Sequence, residues 1–148
     1  MKKLLIILLV LVCNTHFAYS QSYQKWNDLY QRTEFFDSHG NLQGWSKYNN
    51  LYNRLEYFDR NGKMIKYEQK NDLYDRTETK DTHGNTQSYK KYNNLYGRED
   101  VKDANGNLIG YKKWNELYNR YDVYDRNGQL RGYYKYNELY NRWEYHDR

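Results

Sequence analysis

The chain repeats itself every 22 residues without insertion, six times over, and this period restricts the fold more than any other feature of the sequence. Copies begin at Tyr23, Trp45, Tyr67, Tyr89, Tyr111 and Tyr133. A period in this range marks an array of supersecondary units, each too small to bury a core alone. Within the unit, position one is always aromatic, position five is always Asn, and positions seven and eight are always Leu-Tyr. Position ten is always Arg, position twelve Asp or Glu, and position fifteen Asp. Position eighteen is Gly in every copy that reaches it. Position four is Trp26, Tyr48, Tyr92, Trp114 and Tyr136, with Lys70 in the third copy.

Each unit reads as strand, turn, strand and link. Positions one to four alternate large and polar side chains, as in Tyr111-Lys112-Lys113-Trp114, which suits a short strand. Asn at position five opens a tight turn by bonding its side chain to backbone N–H groups ahead of it. Position nine is Asn, Asp, Gly or Gln, residues that tolerate a left-handed backbone, and the turn closes there. Positions ten to fifteen return as a strand, and Asp followed by Asn-Gly or His-Gly gives a second turn. A five-residue turn that pairs position four with ten sets position two against twelve. Aromatic four, Arg ten and acid twelve then share one face, and position one shares the other with eleven and thirteen. A one-residue slip would exchange these faces.

The composition is very polar, with a mean hydropathy of −1.32, and alone it would suit a disordered chain. Its 20 Tyr, 4 Trp and absence of Pro argue otherwise. The aromatics recur with the repeat, so they hold a folded array together. The expectation is an all-β fold, an elongated solenoid or twisted sheet of six tandem hairpins forming one repeat domain over 21–148. No single hairpin buries enough to stand alone, and Leu at position seven is expected inside, where it would explain its presence in every copy.

The first twenty residues predict export. Lys2 and Lys3 precede an unbroken apolar run from Leu4 to Cys13, and Ala18-Tyr19-Ser20 supplies a cleavage site. That order is a secretory signal over 1–20, too short to span a bilayer, and it makes the protein secreted, at the cell surface or periplasmic. Cys13 is the only cysteine, so the exported part contains no thiol nucleophile, disulfide or cysteine metal site. Its preceding Val10-Leu11-Val12 lacks the small residue of a lipid-acceptor site. The net charge of +5 falls to +3 when Lys2 and Lys3 leave, and both signs stay interleaved. Without a basic block, nucleic acid is a poor partner.

The candidate ligand-binding residues are Trp26, Trp45, Tyr48, Tyr92, Trp114 and Tyr136, whose rings either form core or stack on sugar rings or a quaternary ammonium group. The Arg ten and acid twelve pair reads as a charge ladder on a solvated face, contributing only ~0–1 kcal/mol per pair. Asp103-Ala104-Asn105-Gly106-Asn107 echoes half of a calcium loop without its closing Glu, and reads as a turn. His39 and His83 occupy the turn slot that other copies fill with Asn, and His146 falls near a strand end. No metal, cofactor or catalytic set stands out from the repeat, so an enzyme is not expected.

From Gly44-Trp45 through Leu51-Tyr52 and Tyr57-Phe58-Asp59 to Gly62 and Met64, the chain resembles the cell-wall-binding (choline- or glucan-binding) repeat. That resemblance implies a hairpin solenoid holding choline or glucan between aromatics of neighbouring units. The stretch Tyr124-Asp125-Arg126-Asn127-Gly128-Gln129-Leu130 is similar to a variant MORN-type repeat, which implies an elongated β-sheet used for protein or lipid contact. The first functional expectation is a non-catalytic binding module for polysaccharide or another surface polymer. The second is an assembly protein whose exposed end strands pair between chains.

Overall fold

The computed structural model describes residues 22–148, so the expected signal over 1–20 and its cleavage point lie outside the described residues. Twelve strands follow one another in chain order: β1 (Ser22–Asn27), β2 (Arg32–Phe36), β3 (Leu42–Asn49), β4 (Arg54–Asp59), β5 (Met64–Asn71) and β6 (Arg76–Lys80). They continue as β7 (Thr86–Asn93), β8 (Arg98–Asp103), β9 (Leu108–Asn115), β10 (Arg120–Asp125), β11 (Leu130–Asn137) and β12 (Arg142–Asp147). All pairings are antiparallel, and the all-β array of hairpins is as the repeat predicts.

The expected open solenoid or twisted sheet is overturned, because the twelve strands close into a barrel. Strand β1 pairs with β12 through Ser22–Tyr145, Tyr23–Glu144 and Gln24–Trp143. Neither terminal strand is left as an open edge, which removes the exposed strands that the assembly reading required. Twist accumulates in one hand along any such sheet, and each of the five interfaces joined by a link carries a bulge that bends it further. The bulges lie at Phe35/Phe36, Tyr57/Phe58, Thr79/Lys80, Val101/Lys102 and Val123/Tyr124. Six hairpins bring the last strand back to the first.

Both turns follow the expected chemistry. Position nine has a left-handed backbone, with φ between 48° and 51° at Gln31, Asn53, Asp75, Asn119 and Asn141 and 58° at Gly97. The Asn side chain at position five accepts the Tyr N–H at position eight at 3.2–3.3 Å, as in Asn27–Tyr30 and Asn71–Tyr74. In the links, Asp37, Asp59, Asp81, Asp103 and Asp125 each accept two backbone N–H groups at 2.8–2.9 Å.

The register differs from the expectation by one residue. Asn27 faces Arg32 and Trp26 faces Thr33, so position five pairs with ten and four with eleven. The Asn cap admits one residue fewer into the turn, and that slip exchanges the two faces. Positions two, four, eleven and thirteen therefore share the inward face. Their side chains meet across an intervening strand, as with Phe35 and Tyr57 at 6.2 Å, Tyr121 and Trp143 at 5.9 Å, and Lys90 and Glu68 at 2.8 Å. Only a concave wall brings side chains of next-nearest strands together so readily. Tyr57, Val101 and Val123 are the buried apolar residues of this face.

The outward face carries positions one, three, ten, twelve and fourteen, and it has its own packing. Each Arg at position ten bonds the carboxylate at position twelve of its own strand at 2.5–2.7 Å. Its guanidinium lies over the Tyr of its own turn at 4.6–4.9 Å. It also lies over the position-one ring of the next hairpin, 3.8–4.3 Å away. The last of these contacts sets Arg142 on Tyr23, so the seam that closes the barrel repeats the internal ones. Position-one rings also stack on position fourteen, as Tyr23 does on Phe36 at 4.9 Å and Tyr111 on Tyr124 at 4.8 Å.

Candidate functional site

Every position-five-to-nine turn lies at the same end of the barrel, because each joins an odd-numbered strand to the next even one. Position four is the last inward residue before that turn. The structure therefore places Trp26, Tyr48, Tyr92, Trp114 and Tyr136 around one mouth, with Lys70 completing the ring. Trp45 does not join them. It occupies position one on the outer wall, stacked on Phe58 at 5.7 Å and covered by Arg32 at 4.2 Å.

The five mouth rings are between 38% and 61% exposed. Trp26, Tyr48, Trp114 and Tyr136 are held by their edges or polar tips. The Tyr48 hydroxyl donates to Asn53 Oδ1 and the Tyr136 hydroxyl to Asn141 Oδ1. Trp26 Nε1 donates to Asp28 Oδ1 at 2.8 Å. Trp114 and Tyr136 meet Tyr121 and Trp143 edge-on at 4.7 and 5.4 Å. Fixing a ring this way leaves part of it open at little entropic cost, which is how aromatic contact surfaces work.

Beside Tyr92, where the third and fourth hairpins meet, lies an open cleft of about 390 Å³. Tyr74, Tyr89 and Tyr92 supply aromatic surface to it, and Arg76, Lys91 and Asn94 supply donors. Lys91 Nζ donates to the Tyr74 carbonyl at 2.9 Å, tying the hairpins together at its rim.

The inward face breaks the repeat. Positions two, eleven and thirteen vary from copy to copy, while the invariant residues build the turns and the outer seam. One side of the lumen is aromatic, with Tyr121, Trp143 and the Tyr134–Tyr145 pair at 4.7 Å. The other carries Lys66, Glu68, Lys90, Glu99 and Lys112, with ion pairs Lys90–Glu68 at 2.8 Å and Lys112–Glu99 at 3.1 Å. Burial lowers the pKa of the Lys66 ammonium; Glu68 opposes this and Lys90 adds to it. Burial and the Glu68 charge push the Tyr57 hydroxyl well above its ordinary value. The Gln24 amide nitrogen is buried without a hydrogen-bond partner, whereas the Tyr57 hydroxyl lies beside the Glu68 carboxylate. Sequence reasoning missed this asymmetry because it followed the invariant positions; the signal was the variability at two, eleven and thirteen.

Asp103 fills a link: its carboxylate accepts Asn105 N–H, Asn107 N–H and the Asn107 side chain, all at 2.9 Å. These bonds hold its pKa below the usual value, the side-chain amide of Asn107 foremost. His39 and His83 donate their backbone N–H to the link Asp, as turn residues do. His146 stacks on Tyr133 at 4.7 Å.

No family model and no curated protein matches this chain. Among solved structures, a protein of Arabidopsis thaliana known from X-ray work is similar in fold, with a TM-score of 0.65 and 13% identity. The match covers 87% of this chain and 80% of the other. At that identity the likeness speaks to the fold alone.

Proposed function

We propose that the protein is an exported, non-catalytic binding module that takes carbohydrate of a surface polymer at the aromatic end of its barrel. One observation carries this reading: half-open rings line the mouth, and the cleft on the adjoining outer wall sets Tyr74, Tyr89 and Tyr92 beside Lys91 and Asn94. Sugars are recognised by that combination, an apolar ring face against an aromatic and hydroxyls against fixed donors. The non-catalytic part rests on where the recurring polar residues go. Arg ten is committed to acid twelve, Asn five to the turn and Asp fifteen to the link. A ring of sites around one mouth favours a chain end or a compact glycan over a long strand laid flat. Affinity electrophoresis through gels carrying envelope or plant polysaccharides tests the reading. Tyr92→Ala should lose about tenfold in retention, some 1.4 kcal/mol, with its melting curve unchanged. Equal retention of Tyr92→Ala and the parent by every retarding polymer would remove the site.

A further inference from the structure

The position-seven leucines contradict their expected burial. Leu29, Leu51, Leu73, Leu95, Leu117 and Leu139 are 81–83% exposed at the turn end of the barrel. Turn geometry gives no reason for them, because Asn at five caps the turn and position nine takes the left-handed conformation. An aliphatic side chain that recurs in every unit and contacts little inside the fold points to a contact outside it.

The groups around the leucines are layered along the barrel axis. Leu is outermost, and the Tyr beside it is 53–56% exposed. Next on the outer wall comes a belt of exposed lysines at position three: Lys25, Lys47, Lys91, Lys113 and Lys135. Aliphatic tip, amphipathic ring and ammonium group follow the order of acyl boundary, interface and phosphate in a bilayer surface. Carboxylates at Asp28, Asp72, Glu116 and Glu138 stand in the turns themselves, beside the leucines and beyond this cationic belt, so both signs are presented at this end. That mixture complements a zwitterionic headgroup layer and gains little from an anionic one.

We propose that this end of the barrel docks on a zwitterionic phospholipid surface, the leucines dipping below the headgroups and the lysines reaching their phosphates. Docking is peripheral. The strands, at 5–8 residues, are shorter than the ~9–11 that cross a bilayer, and the outer wall bears Lys, Arg and carboxylates where a spanning barrel is apolar. The inference stands apart from the carbohydrate reading, although docking would turn the mouth rings toward whatever headgroups the surface carries.

Flotation with carbohydrate-free phosphatidylcholine vesicles tests it, using the chain from Gln21 to Arg148. The chain should float with the vesicles, and high salt should change its partition by less than about twofold, since the contact is chiefly apolar. The triple variant Leu51→Asp, Leu95→Asp, Leu139→Asp should lose more than about tenfold in partition, and the corresponding triple Ser variant should lose less. Near-UV spectra and melting matching the parent would show both to be folded. A parent that stays in the dense fraction overturns the proposal, as does a triple Asp variant that floats equally well. So would a parent dimer that the Asp variant splits, which would make a second copy the occupant. Because the vesicles carry no sugar, none of these outcomes bears on polysaccharide retention.

Discussion

Tyr57 and Leu117 stand at opposite extremes of exposure, 2% and 82%, although the repeat makes the leucine the more regular of the two. Tyr57→Ala should cost about 3–5 kcal/mol, as truncation of a buried aromatic does. Leu117→Ala should stay within about 0.5 kcal/mol, so chemical denaturation of the two variants should separate them clearly. Tyr57→Phe should cost at most about 1.5 kcal/mol, because it keeps the buried ring and removes only the hydroxyl beside Glu68. Tyrosine ionisation should also limit the barrel at high pH. Burial and nearby charges raise Tyr57 and Tyr134 well above the ordinary 10.0 and push Tyr145 up to about 12. In the unfolded chain these groups ionise first, so the folded state holds more protons and loses stability as pH rises from 10 through those values. Lys66 works in the opposite sense below its ordinary 10.5, being lowered by burial. Melting temperatures should therefore fall steeply above pH 10, and Tyr145→Phe should flatten that fall. An unchanged slope in the variant would show that its hydroxyl is not shielded in the fold.

At the scale of the hairpin, the recurrent Arg and acid looked like a solvated ladder and are something else. The Glu78 side chain is only 6% exposed, bonded by Arg76, Asn71 and Lys80, and Arg76 in turn lies over the rings of Tyr74 and Tyr89. Burial pushes its pKa up, but hydrogen bonds from Arg76 and Asn71 outweigh this and hold it below the usual value. Arg76→Ala should thus cost about 1.5–3 kcal/mol, the range for a hydrogen bond to a shielded charge. A loss under about 0.5 kcal/mol would return the pair to the surface. The same carboxylates give an acid limit. Glu78 and Glu144 are lower in the folded state than outside it, so the stability they contribute is present above the ordinary carboxylate range and is lost as pH falls through their folded values. Strand boundaries and both turns were legible because Asn, Asp and Gly act locally on the backbone. The register was not. It hangs on whether Asn27 belongs to the turn or to the last rung, and that single residue decides whether Trp26 faces the lumen or the solvent.

For the whole molecule, closure is the property that a repeat hides. An open sheet and a barrel use the same interface between neighbours, and the choice rests on whether accumulated twist returns the last unit to the first. Nothing in one copy encodes that sum, whereas the mouth aromatics could be found from one copy because their spacing from the turn is local. Trp45 was grouped with them as a Trp, and its position-one slot on the outer wall separates it. Closure by a seam like the others has a direct consequence. Arg142 meets Tyr23 as Arg120 meets Tyr133, and the three pairs of β12 with β1 keep the register of β10 with β11, without the bulge that follows there. The closing seam is shorter than the others only where it lacks a link, and supplying one should make it their equal. Joining Arg148 to Gln21 through Asn-Gly-Gln-Leu recreates the link of the fifth copy, and new termini can be cut in the exposed link between Asn61 and Lys63. This circular permutant should fold to the same barrel, with near-UV signal intact and stability within about 1 kcal/mol of the parent, since chain ends in exposed turns are well tolerated. Deleting 133–148 instead leaves β1 and β10 as open edges, and that chain should aggregate. A permutant that aggregates as the deletion does would mean the closing seam differs from its neighbours, and the six-step barrel would have to give way to a sheet with a fixed beginning and end.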